Sequence, residues 1–288
     1  MAGLPDCFFV PQPDAADVYI PTELCRGPWD NRAQHGGPPC ALLAGLLDRF
    51  ENDDVEEALK EPDSSGLARV VHPRRRHATV RLSFELLRPV PLAPLRVSIQ
   101  PQKLGRQVHR IRAELHSLDG KKLVTATALR ILRQPGPSAG LPVQAWAPPS
   151  ACPRLVFDFF GHEVGYHRGV MLRVAGGAWG RTPIQVWGRL VVPLVNDGRP
   201  LTALESIVAL SDAQSGMGVP LDPRMWTFVN PDLHVILDGD PQPGWVGFDI
   251  RSTASEAGSG VAQSALRDRV REVGRAAQTL VVRARSPS

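Results

Sequence analysis

Only two of the 288 residues are tyrosine, and aromatic residues together make up 6% of the chain. A single-strand nucleic-acid site interleaves stacking rings with basic residues. Here the densest basic run, Arg74-Arg75-Arg76, has no aromatic beside it, and the net charge is only +4. That charge would favour a polyanionic ligand, a coenzyme phosphate or a nucleic acid, but is too mild to choose between them. Without interleaved aromatics no nucleic-acid partner is expected, and the run reads as a solvated loop. Cysteine is scarce too. Cys7, Cys25, Cys40 and Cys152 stand far apart, with no CxxC pair and no Cys/His spacing of zinc ligands. This excludes a disulfide framework and a structural metal site, and the thiols read as reduced. No apolar run approaches the ~18 residues of a membrane span, because Pro, Gly or a charge interrupts each one. The start, Met-Ala-Gly-Leu-Pro-Asp-Cys, has neither the basic nor the continuous apolar region of a secretory signal. A cytoplasmic protein is expected.

What the chain does have is enough apolar content, 43%, for a sizeable core. It also has a duplicated order of elements. The breaker-rich stretch from Gln134 to Pro153 reads as a linker, dividing the chain into residues 1–133 and 154–288. Before it, Pro38 to Phe50 is too apolar for a surface helix. Strand patterns follow at His77–Leu87, Leu95–Leu118 with a break near Gly105, and Leu123–Leu132. Leu118-Asp119-Gly120-Lys121 is the turn between the last two. After the linker come strands near Val170–Val174 and Ile184–Val192, then a helix from Leu201 to about Gly216. Further strands are expected at Met225–Leu237, Trp245–Thr253, Gly260–Asp268 and Val273–Val282. An apolar helix followed by antiparallel strands, twice over, predicts an α+β chain in which each half wraps a curved sheet around a central helix and the two sheets pair.

Particular motifs reinforce this. In the first half they are Gly27-Pro28-Trp29-Asp30, Gln34-His35-Gly36-Gly37-Pro38-Pro39 at the helix start, and Leu87-Arg88-Pro89-Val90-Pro91 at a strand end. In the second half they are Ala209-Leu210-Ser211-Asp212, Trp226-Thr227 and Ala277-Gln278. Together they resemble the type II acyl-CoA thioesterase family over nearly the whole chain. The resemblance implies a double hotdog fold, two tandem hotdog repeats, and an acyl-CoA substrate hydrolysed without metal or redox cofactor. It also implies that Asp212, Thr227 and Gln278 are the catalytic positions.

The residues bear on these roles independently. Asp212 lies four residues after Val208 and eight after Leu204, on the apolar face of its helix. A carboxylate there is costly unless bonded or functional. The alternative is a helix that ends earlier, with Asp212 capping the next turn. Thr227, by itself, is an ordinary β-branched strand residue. Gln278 or Thr279 must face inward under strand alternation, and a buried Gln would find partners in a nearby Asp and Thr. Gly36 and Gly37 either let a thioester oxygen approach a positive helix end or simply allow close packing of the helix start. His35 reads as a loop residue and is given no role. Asn230-Pro231-Asp232-Leu233-His234 departs from the Asp/His motif of hotdog hydratases, and Ser215 and Ser259 lack a nucleophile elbow.

The expected chemistry is attack by a water activated by Asp212 and oriented with Thr227 and Gln278. The acyl chain is expected between helix and sheet, the coenzyme at a positive rim, and Thr127 at the first-half position answering Gln278. The rival is a hotdog that binds acyl-CoA or another hydrophobic ligand without turning it over, which has no need of the trio. Association into a homodimer or larger oligomer is expected.

Overall fold

The computed structural model describes residues 3–50, 77–137, 145–218 and 220–285. The arginine run 74–76 and the middle of the linker, 138–144, lie outside them. In chain order the elements of the first half are β1 (Phe9–Gln12), β2 (Ala15–Pro21), α1 (Gly37–Arg49), β3 (His77–Leu86), β4 (Leu95–Leu104), β5 (Val108–Ser117) and β6 (Lys122–Leu132). The second half opens with β7 (Arg154–Leu155), α2 (Tyr166–Gly169), β8 (Val170–Gly176), β9 (Ile184–Leu190), α3 (Ala203–Ser211) and α4 (Gln214–Gly218). It continues through β10 (Trp226–Val229), β11 (Asp232–Leu237), β12 (Val246–Ala254), β13 (Ser259–Arg267) and β14 (Glu272–Ala284). No helix among the described residues is long and apolar enough to cross a membrane.

The strands join in one antiparallel sheet ordered β1-β2-β4-β5-β6-β3-β11-β14-β13-β12-β9-β8-β7, with β10 also paired to β14. The seam between the halves is the pair β3–β11, with Ser83 opposite His234. Read outward from that seam, the order is β3-β6-β5-β4-β2 on one side and β11-β14-β13-β12-β9 on the other. In both halves the helix falls between the outermost of these strands and the seam strand. The fold is a double hotdog, and the duplication is visible in its topology.

The helices form where apolar residues surround the axis, the pattern of a buried helix. Ten of the 13 residues of α1 are buried, and its start is set by Pro38 and Pro39 in the first turn, where a missing N–H costs nothing. Helix α3 starts at a capping box in which Thr202 and Glu205 satisfy each other's backbone N–H groups. The two helices run antiparallel and very close. A Cβ on Gly37 would lie 2.3 Å from the Ala209 carbonyl oxygen, and one on Gly45 would lie 2.1 Å from Glu205 Oε1.

Two departures from the sequence pattern shape the site. The long helix expected from Leu201 to Gly216 is interrupted after Ser211, giving α3 and α4 with Asp212 at the end of α3. The single strand expected over Met225–Leu237 breaks at Asn230-Pro231, because proline cannot donate to the ladder. Across the break the register slips by one residue, from Thr227 opposite Arg283 to His234 opposite Ala277. Asp232 fills the gap: its carboxylate accepts from Thr279 N at 2.7 Å and from Thr279 Oγ1 at 2.8 Å. Strands β1 and β2 were not anticipated either. Pro11 and Pro13 mask them, yet proline is tolerated at a sheet edge, where β1 lies.

Candidate active site

The antiparallel helix pair brings the start of α1 against the end of α3. Asp212 is 3% exposed, and its carboxylate rests on the Cα face of Gly36, where a Cβ would meet Oδ1 at 2.7 Å and Oδ2 at 2.9 Å. The end of its own helix is a poor place for a negative charge, whereas the N-terminal end of α1 is a favourable one. Two side chains hold it. Asn230 Nδ2 donates to Oδ1 at 2.7 Å, and His35 Nδ1 lies 2.9 Å from Oδ2. Asn230 is fixed by its place in the strand break, its Nδ2 also donating to the Asp232 carbonyl at 3.0 Å. Gly37 N approaches the same His35 nitrogen at 3.1 Å. One ring nitrogen cannot donate to the carboxylate and accept from Gly37 together; against an ionised Asp212 the proton belongs on Nδ1. Each carboxylate oxygen keeps a further acceptor direction.

The His35 ring is itself clamped. It stacks face to face on Tyr166 with centroids 3.9 Å apart and planes 5° apart. Tyr166 is fully buried, and its hydroxyl donates to the Ala209 carbonyl at 2.9 Å. Burial, reinforced by the negative charge of Asp212, holds the Tyr166 hydroxyl well above its ordinary pKa, so it stays a proton donor to that carbonyl. Burial likewise pushes the Cys25 and Cys40 thiols well up, which removes them as nucleophiles.

A cavity of about 450 Å³ opens beside this cluster. Its wall includes Asp212, His35, Gly36, Asn230 and Thr227, together with Trp29, Phe157, Phe159, Phe160 and Phe228, and Arg88 and Arg283. The acyl chain was expected between helix and sheet, and the cavity is bounded by α4 at Ser215 and Gly216 and by β10 at Thr227, Phe228 and Val229 rather than running between α1 and its sheet. Leu42, Leu43 and Leu47 fill that space and are fully buried. The cavity lies instead where the two halves meet at the helix ends.

The expected site residues are distributed unevenly around it. Asp212, Thr227 and Gly36 border the cavity, whereas Gly37 is spent on the close approach to Ala209. Thr227 does not bond Asp212; its hydroxyl donates to the Arg283 carbonyl at 3.3 Å. Gln278 faces inward, 2% exposed, but its partners are not the expected Asp and Thr. Gln214 Nε2 donates to Gln278 Oε1 at 3.4 Å, and Ser264 Oγ donates to Gln214 Oε1 at 2.8 Å. The register explains the separation. Thr227 sits opposite Arg283, five residues from Gln278 on β14, and therefore on the other face of the sheet. The same alternation corrects the first-half counterpart, since Thr127 points away while Val124, Ala126 and Ala128 face inward on β6. His35 and Asn230, the two side chains that hold Asp212, carried no expected role. The signals available were the His before Gly-Gly at a helix start and the Asn-Pro break in a strand.

By pseudo-symmetry a second junction exists, between the end of α1 and the start of α3. It is closed. Arg49 Nη1 pairs with Glu205 Oε1 at 2.7 Å, with side chains 15% and 4% exposed, and the residual space is about 10 Å³. The described residues thus hold one open helix junction and one filled by an ion pair.

Paired hotdog repeats, with a buried and bonded carboxylate on the wall of one cavity where they meet, define the chain's class as a double-hotdog protein. Residues 25–131 match the acyl-CoA thioesterase N-terminal domain and residues 145–282 match the acyl-CoA thioesterase C-terminal domain. The chain belongs to the acyl-CoA thioesterase family and is a thioester hydrolase. Solved structures agree on the fold. A protein of unknown function with a hot dog fold from Alicyclobacillus acidocaldarius is 17% identical, with a TM-score of 0.65 and 94% of each chain covered. The acyl-CoA thioesterase II TesB2 of Mycobacterium marinum is 16% identical, with a TM-score of 0.59 and 94% of each chain covered. The tesB protein of Mycobacterium avium is 16% identical, with a TM-score of 0.60 and 92% of each chain covered. No curated protein matches the sequence.

Proposed function

We propose that the chain hydrolyses an acyl-CoA thioester with Asp212 as general base. The observation that carries this is a carboxylate on the cavity wall with each oxygen already oriented, by Asn230 at 2.7 Å and His35 at 2.9 Å. In the step itself, a cavity water attacks the thioester carbonyl carbon while its proton passes to Asp212. The tetrahedral intermediate then collapses, the C–S bond breaks, and the thiolate of coenzyme A leaves with the proton held by Asp212, which restores the carboxylate. The positive end of α1 at Gly36 favours the charge that develops on the carbonyl oxygen. Thr227 contributes from the rim, since its hydroxyl can rotate toward a bound water. Gln278 acts at one remove, as a positioning residue that holds Gln214 and with it the α3–α4 junction carrying Asp212. Arg88 and Arg283 supply cations for the coenzyme's phosphates.

The test is Asp212→Asn, which preserves size and hydrogen bonding but cannot take a proton. A general base contributes ~10²- to 10⁴-fold, so kcat falls by that range with KM little changed. The rival, a non-catalytic acyl-CoA or hydrophobic-ligand binder, draws support from the separation of Gln278 from Asp212. A folded Asn variant that turned over like the parent, or a parent with no turnover on any acyl-CoA, would favour it. We also expect a homodimer or larger assembly, with the exposed apolar side chains Ile236, Val261 and Val281 available on the outward sheet face. Light scattering that returned a monomeric mass at micromolar concentration would overturn this.

A further inference from the structure

We propose that the acyl group selected by this cavity carries an aromatic ring within two or three atoms of the thioester carbonyl, a proposal that rests on the hydrolase reading above. The first ground is composition. In a chain with 6% aromatic residues, four of the nine phenylalanines and one of the six tryptophans line this one cavity. Burying an alkyl chain requires no such concentration, because leucine and valine do it equally well.

The second ground is arrangement. Trp29 stacks on Phe159 at 5.9 Å and 23°, and meets Phe228 edge to face at 5.0 Å and 77°. Phe159 continues the wall to Phe157 at 5.3 Å and to Phe160 at 5.4 Å. Trp179 backs Phe159 at 6.2 Å with planes 7° apart, and its indole N–H donates to the Gly216 carbonyl at 2.9 Å, which anchors the rings to α4. Rings so arranged present both faces and edges, and a guest ring gains from offset or edge contacts that an alkyl chain cannot make.

The third ground is depth. A Cβ on Gly216 would touch Phe157 and Phe159 at 3.6 and 3.7 Å, so these rings lie directly against that residue. Gly216 follows Asp212 by four residues along an almost continuous helical path, and one such turn rises ~6 Å. With the carbonyl carbon beside Asp212, a ring attached directly or through one or two carbons reaches the wall. The volume of about 450 Å³ lies toward the lower end of ligand cavities and also receives the thiol end of the coenzyme. It suits a compact acyl group.

The experiment compares phenylacetyl-CoA with octanoyl-CoA, which have equal numbers of acyl carbons. Aromatic pairing predicts kcat/KM for the aryl substrate higher by roughly 2- to 10-fold. A second arm measures the dissociation constants of the same two compounds with Asp212→Asn, where binding is read apart from chemistry, and the same ratio is expected. Phe159→Leu should bring the ratio toward one, with Phe160→Leu as the alternative if that variant does not fold. Octanoyl-CoA bound as tightly as phenylacetyl-CoA, or an unchanged ratio in a folded leucine variant, overturns the proposal. If the parent hydrolyses neither compound, the binding arm alone decides the acyl class, and the hydrolase reading itself fails only if a panel of other acyl-CoAs also releases no thiol.

Discussion

Two adjacent glycines at the start of α1 offer a separation of chemistry from stability. Gly36 has φ −64° and ψ −23°, a conformation alanine adopts freely, so Gly36→Ala carries no backbone strain. Its new methyl would stand 2.7 Å from Asp212 Oδ1, 2.8 Å from a Leu86 methyl and 2.9 Å from Asp212 Oδ2. An ordinary contact begins near 3.4 Å, so the carboxylate must retreat by about 0.7 Å. That retreat disturbs the 2.7 Å bond from Asn230 and the 2.9 Å contact with His35 together. A misplacement of ~1 Å costs about 10²-fold in rate, so a loss of roughly tenfold in kcat is expected, with a melting temperature close to that of the parent. Gly37→Ala differs because its methyl would meet the backbone oxygen of Ala209 at 2.3 Å, and a backbone group already tied to Tyr166 cannot move alone. The helices must part, at a cost of ~1–3 kcal/mol, which is roughly 2–5 °C in Tm for a chain of this length. Steady-state kinetics and thermal unfolding on both variants decide the matter. A Gly36→Ala enzyme as fast as the parent would show that the Asp212 position is irrelevant to turnover. A Gly37→Ala protein as stable as the parent would refute the close helix contact.

Two further outcomes follow from the closed junction and from a half-buried ring. Arg49→Met strands the Glu205 carboxylate in a site where it is 4% exposed, which should cost ~3–5 kcal/mol in urea unfolding; adding Glu205→Gln should recover much of this, and a single-variant cost below ~1 kcal/mol would mean the ion pair does not seal the junction. Burial, helped by the neighbouring charges of Arg168 and His162, lowers the pKa of His167 to about 4, and its Nδ1 has no hydrogen-bond partner among the described residues. The unfolded chain binds the extra proton first, so stability is level above pH ~6.5 and declines as pH falls toward 4, by no more than ~1–2 kcal/mol for a partly solvated ring. His167→Gln should flatten that slope in melting curves taken across the window, and an unchanged slope would assign it to other groups.

The fold was legible to the extent that local pattern determines it. Helix α1 could be read because its apolar residues leave no polar face, and the turn at Gly120 because a hairpin there needs positive φ, found at 86°. The edge strands were hidden behind Pro11 and Pro13, and the break at Asn230-Pro231 behind apolar residues continuing on both sides. Within the site, the burial of Asp212 followed from helix spacing and the inward turn of Gln278 from strand alternation. Their partners could not be foreseen. His35 meets Asp212 only because α1 and α3 run antiparallel, and Gln278 meets Gln214 because α4 packs over β12 and β13, beside Gln278 on β14. Periodicity reports which way a side chain points within its own element, and carries no information on which other element stands opposite.

The seam between β3 and β11 has a consequence for how the two repeats stay in step. Alternation forbids a slip of one residue, because every buried side chain on one strand would turn outward. A slip of two keeps all of them buried, so the sheet alone tolerates it. Such a slip would carry His35 some 7 Å along from Asp212 and dismantle the site with little change in apolar burial. What distinguishes the two alignments is the contact of Gly37 with the Ala209 carbonyl, a glycine notch that accepts the neighbouring helix at one height only. The notch therefore acts as the detent of the assembly: the sheet supplies the rail along which the repeats could slide, and a missing side chain selects the stop at which hydrolysis is possible.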